Sequence, residues 1–70
     1  MLIEKCVVKQ FKFLREHRVC EVHDMNYVHK IANRLGFLDL AAFVDNRGWE
    51  GYQTLLEDYT KWMEIYEIDN

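Results

Sequence analysis

The chain has 70 residues, a formal net charge of −3, a hydrophobic fraction of 50% and an aromatic fraction of 14%, with neither Ser nor Pro. That length holds one domain at most, and no apolar run approaches the length of a membrane span. Lack of Ser excludes a serine hydrolase, and Gly36, Gly48 and Gly51 match neither a P-loop nor a dinucleotide-binding spacing.

The first segment places Ile3, Val7, Phe11 and Leu14 at helical steps, with Leu2, Cys6 and Phe13 widening the apolar face. Helix is the preferred reading of 2–16. The β-branched residues of 2–8 leave a short strand as the other reading. Glu4, Lys5 and Lys9 interrupt this stretch, so no signal-peptide core is read there. An intracellular, cytoplasmic chain with reduced thiols at Cys6 and Cys20 is expected. Val19 to Val22 reads as a short extended piece.

Asp24 is the expected N-cap of a second helix. Met25, Val28, Ile31, Ala32 and Leu35 mark its apolar face, and Gly36 follows where a left-handed residue would end it. Phe37, Leu40, Ala41 and Val44 repeat the spacing as a short third helix, which Asn46, Arg47 and Gly48 break. Tyr52, Leu55, Leu56, Tyr59, Trp62, Met63 and Tyr66 then recur at steps of three and four, which predicts a helix over 49–68. The expected fold is an all-α domain over 1–70, a small compact bundle of three or four helices in antiparallel succession.

Charge divides along the chain. Residues 1–38 carry seven Lys/Arg against four Asp/Glu, a balance of +3; residues 39–70 carry two against eight, a balance of −6. Lys5, Lys9 and Lys12, with Arg15 and Arg18 beyond them, form a basic stripe on the first helix. These charges are either ordinary solvated faces or a field that steers a charged partner. A homodimer could satisfy both signs at once.

His17, Cys20, His23 and His29 are the only candidate metal ligands with close spacing. They supply one C-x2-H pair and no second matched pair, so no metal site and no cofactor is assigned. A metal-binding module is the third-ranked reading of the chain. Cys20 has His17 and His23 for neighbours, but a catalytic cysteine also needs an orienting group and an oxyanion hole, and neither is recognisable. The plainer reading is a small buried thiol. No catalytic residue is assigned, and the chain is read as non-enzymatic.

Residues 31–43, Ile-Ala-Asn-Arg-Leu-Gly-Phe-Leu-Asp-Leu-Ala-Ala-Phe, resemble the helix-turn-helix segment of AraC-type transcription regulators. The resemblance covers thirteen of seventy residues. It implies that Ala32 packs inside the first helix, that Gly36 permits the turn, and that Phe37 and Phe43 lock the second helix into the core. It also implies contact with DNA through that second helix. The residues on the second helix argue against that contact, because Asp39 and Asp45 stand where base readout and phosphate contact call for Arg, Lys, Asn or Gln.

A core of this size is thin, since such a chain buries only about 60% of its unfolded surface. Two Trp, four Tyr and four Phe are a heavy load for it, and some of that ring surface is expected to meet a partner. Trp49, with Arg47 in the turn before it, either covers the end of the core or forms a binding hot spot. The function expected is a small regulator, adaptor or inhibitor, of the kind phages and mobile elements encode. It would dock on a larger protein through Trp49, Tyr52, Tyr59, Trp62 and Tyr66, with Arg47 beside them. The alternative is a nucleic-acid-binding regulator that uses the helix pair around Gly36, or the stripe of Lys5, Lys9, Lys12 and Arg15 as a phosphate-facing surface.

Overall fold

The computed structural model describes residues 2–68. Four helices follow one another: α1 Lys5–Glu16, α2 Met25–Leu35, α3 Leu38–Glu57 and α4 Tyr59–Ile65. The first segment is helix, and among the described residues there is no strand. Asp69, part of the acidic half of the sequence, lies outside the described residues.

The chain does not form a simple up-and-down bundle. Helix α3 is the centre and packs against each of the other three helices, whereas α1 packs on α3 and α4 and makes no packing pair with α2. The link between α1 and α2 is what carries the chain across. It is held down by Tyr52 of α3, whose hydroxyl donates to the Val22 carbonyl at 2.6 Å.

Asp24 caps α2 as its residue type predicts, its carboxylate accepting the Tyr27 N–H at 3.1 Å. Gly36 ends α2 in the left-handed region at φ 78°. The Gly36 N–H donates to Asn33, and the Phe37 N–H donates to the Ala32 carbonyl at 2.7 Å. That pair of bonds is a Schellman motif. It turns the chain within two residues and lets α3 start at Leu38.

The break expected at Asn46–Gly48 is present, and one boundary differs from the sequence expectation. The Asn46–Gly48 break is a kink inside α3, centred on Gly48 at φ 65°, ψ −159°. Only glycine populates that region readily. The helix expected over 49–68 is cut at Asp58, which sits at φ −102°, ψ 20°. An unbroken helix of that length would span about 30 Å, more than the molecule's longest dimension of 27 Å. The cut instead lets Tyr59, Trp62 and Met63 turn inward, where all three are buried.

Phe11 on α1 is the middle of the core. It is fully buried and meets Tyr52 edge-on at 5.8 Å and Tyr59 at 5.5 Å. Leu14, Val28, Leu40 and Leu55 close around it from all of the first three helices. No polar or charged residue is buried with them among the described residues.

Candidate functional sites

The aromatic residues divide into three groups. Phe11, Phe43, Tyr52, Tyr59 and Trp62 are core, Phe37 and Tyr66 are half-buried, and Phe13, Tyr27 and Trp49 are exposed. The face expected to meet a partner is therefore corrected. Tyr52, Tyr59 and Trp62 recur at helical spacing because they face the core, and the bend at Asp58 directs the last two there. None can offer a ring face to a partner while the domain stays folded. Tyr66 stacks on Trp62 at 6.1 Å and donates its hydroxyl to the Ile3 carbonyl, tying the end of α4 to the start of the chain.

Trp49 is different. It leaves 48% of its surface in water. Gly48 sets its position: the kink swings Trp49 off the helical path of the first half of α3, and its ring comes to rest 6.3 Å from that of Tyr52. Beside it lies a groove of about 230 Å³ lined by His23, Trp49, Gln53, Leu56 and Glu57. Its rim is acidic. Glu57 accepts from Gln53 at 2.9 Å, and Glu21 holds His23 at 2.8 Å. That hydrogen bond from His23 holds the Glu21 carboxyl below its ordinary pKa. Arg47 does not share this groove; it lies over the Phe43 ring at 5.8 Å and lines a separate pocket with Leu2 and Glu4.

A second groove, of about 410 Å³, runs along α1 to the end of α4. Lys5, Lys9 and Lys12 line it with Phe13, Glu16, His17, Glu67 and Ile68. The stripe read from the sequence is therefore one surface, and it does contain aromatic residues. Phe13 is 42% exposed, stacks against His17 at 4.3 Å, and meets Phe37 edge-on at 5.3 Å. Lys12 is paired with Glu16 at 2.8 Å, whereas Lys5 and Lys9 make no ion pair among the described residues. Arg15 leaves the stripe and lies over the Tyr59 ring at 4.4 Å.

The pair of helices around Gly36 packs as the AraC-type resemblance implies for sterics, with Ala32 and Phe43 buried and Phe37 half-buried. The outward face of α3 before the kink carries Leu38, Asp39, Ala42 and Asp45, with Asn46 and Arg47 at its end. Asp45 bonds His29 of α2 at 2.9 Å, and Asp39 accepts from Gln10 of α1 at 3.1 Å. A face with two carboxylates and a single cation, Arg47 at its far end, opposes the approach of phosphate.

The remaining chemistry-bearing side chains are scattered. His17 rests on Phe13, His23 on Glu21 and His29 against Asp45, so the structure does not gather the three imidazoles. Burial pushes the Cys20 thiol up, with Glu21 and Asp24 adding to the effect. Burial does the same to Cys6, with help from Asp39 and Glu4. A thiol raised in this way is a poor nucleophile at neutral pH. Comparison with protein-family models, with curated proteins and with solved structures finds no match to this chain.

Proposed function

We propose that this chain is a non-enzymatic interaction module, a small regulator, adaptor or inhibitor that docks on a larger protein through the groove beside Trp49. One observation carries the reading: Trp49 alone among the aromatic residues expected at the contact keeps nearly half its surface in water, and it does so beside a groove. An indole in that position supplies large apolar area with few rotamers to freeze, which is why Trp is enriched at interface hot spots. Leu56 extends the apolar floor, and Glu57 and the Glu21–His23 pair give a polar rim. The rim fits a partner that brings Lys or Arg, since a cation can lie on the indole face with a carboxylate beside it.

Affinity capture from a lysate, run with and without nuclease, tests this reading when the wild-type chain is compared with Trp49→Ala. The expected result is a protein partner retained by the wild type, indifferent to nuclease, and lost with Trp49→Ala. Retention by the Trp49→Ala chain, or loss of capture on nuclease treatment, would refute it.

A further inference from the structure

We propose that the groove between α1 and the end of α4 is a second docking surface, and that its occupant is an acidic segment of a protein carrying apolar side chains. It shares no lining residue with the Trp49 groove, so it stands or falls separately. Its cations are the first reason. Lys5 and Lys9 are exposed and make no ion pair among the described residues, whereas Lys12 is already neutralised by Glu16. One helical turn separates them, about 6 Å along the axis. Alternate side chains of an extended peptide repeat every 6.6–6.8 Å or about that. Two carboxylates spaced by one residue would therefore reach both ammonium groups.

The floor is the second reason. Phe13 and Ile68 give an apolar bed beside the lysines, with the His17 ring against Phe13, and Phe13 keeps 42% of its surface exposed there. A partner with an apolar residue two positions beyond its second carboxylate, on the same face, would cover Phe13, which lies one turn beyond Lys9. Nucleic acid fits less well. Glu16 and Glu67 line the same groove, and a continuous row of phosphates would meet them. His17 already leans on Phe13 at a tilt and Phe37 meets it edge-on, so a base would have to displace His17 to stack there.

The test is an NMR titration of the isotope-labelled full chain with three probes. They are a short synthetic peptide with the pattern Glu-Thr-Glu-Thr-Leu, the same peptide with Gln in place of Glu, and single-stranded oligothymidylate. The expected result is movement of the Lys5, Lys9, Phe13 and His17 resonances with the Glu peptide alone, reversed by added salt. The Lys5→Gln/Lys9→Gln variant should bind at least about fivefold more weakly. Glu67→Gln should bind more tightly, because it removes a like charge from the groove; this gain cannot come from a damaged fold. The proposal is overturned if none of these resonances moves, if the Gln peptide binds as well, or if oligothymidylate binds more tightly. It is also overturned if the same resonances move on raising the protein concentration alone, which would assign the groove to a second copy.

Discussion

The side-chain amide of Gln10 closes the N-terminus of α3: its Oε1 accepts the Leu40 N–H at 2.9 Å. Its Nε2 donates to Asp39 at 3.1 Å, so one side chain serves a backbone donor and a carboxylate of the same turn. Phe37, at the N-cap position, makes no side-chain cap bond, and the cap comes instead from a helix thirty residues away in sequence. Gln10→Ala should cost about 1 kcal/mol, the usual worth of a cap. For a domain of this size that lowers the thermal midpoint by roughly 4–8 °C. Gln10→Glu keeps the acceptor but sets a carboxylate against Asp39, so it should recover only part of the loss. Circular dichroism melts of the three chains check this, and an unchanged midpoint for Gln10→Ala would mean that the cap contributes nothing.

The Tyr52 hydroxyl makes a second tie of this kind. Burial raises the pKa of this phenol well above its ordinary value, and the negative charge of Cys20, Asp24 and Glu21 on ionisation adds to the shift. The sign follows from linkage. A folded-state pKa above the unfolded value of about 10 means that the contribution is complete below that pH and is lost as pH rises beyond it. Tyr52→Phe should cost about 1–2 kcal/mol at neutral pH, since it leaves the Val22 carbonyl without its donor. It should also remove part of the alkaline loss of stability. Urea unfolding at neutral and at strongly alkaline pH, on both chains, measures the two effects together. An alkaline loss of stability equally large in Tyr52→Phe and in the wild type would show that some other group drives alkaline unfolding.

Three helices end in the same way, and only one of them with glycine. Arg18 at φ 51° and Glu67 at φ 54° occupy the left-handed position that Gly36 fills after α2. In each case the next N–H reaches back to the last turn: Val19 to Leu14 at 3.2 Å and Ile68 to Met63 at 3.0 Å. An L-residue there carries roughly 1 kcal/mol of strain. Arg18→Gly and Glu67→Gly should each stabilise the domain by about 0.5–1 kcal/mol, because relief of strain exceeds the added flexibility of the unfolded chain. Gly48→Ala should do the reverse, by about 1–3 kcal/mol, although open space surrounds the position. Denaturant midpoints of the three variants supply the signs.

Much of the fold can be read from local pattern. The Asp24 cap, the Gly36 stop and the apolar spacing of α1 and α2 are short-range signals, and each operates in the structure as its residue type dictates. The break at Gly48 is a local signal of the same kind, whereas the cut at Asp58 was not legible, because it is set by what the chain must fit around. Nothing near Asp58 in sequence breaks a helix; the constraint is the size of the core that Tyr59 and Trp62 must enter. The same limit explains the contact surface. Helical periodicity identifies an apolar face but does not say whether the face meets the core or a partner, so Tyr52, Tyr59 and Trp62 looked the same as Trp49. The clue that separates them is Gly48, which stands immediately before Trp49 and takes its ring off the buried stripe. The basic groove was legible as a stripe of lysines, and Phe13, four residues after Lys9, falls on the same helical face; its packing with His17 and Phe37 was not legible.

The two tryptophans should respond to substitution in different ways. Trp49→Ala removes a half-exposed ring that rests beside Tyr52 and should cost only about 1–2 kcal/mol while destroying the proposed contact. Trp62 is buried against Tyr66, and Trp62→Ala should cost about 3–5 kcal/mol. That is a large share of the roughly 5–15 kcal/mol that holds a small domain together. Trp62→Phe should cost less than its lost volume suggests, because the Trp62 Nε1–H is buried and finds no acceptor among the described residues. Deleting an unpaired donor returns part of its desolvation penalty, about 1–3 kcal/mol. Urea titrations rank the three variants. Acrylamide quenching distinguishes the rings directly: Trp49→Phe leaves only the shielded indole, and Trp62→Phe only the exposed one. Equal quenching of the two would mean that Trp49 is covered in solution, and the docking surface proposed for it would have to be abandoned.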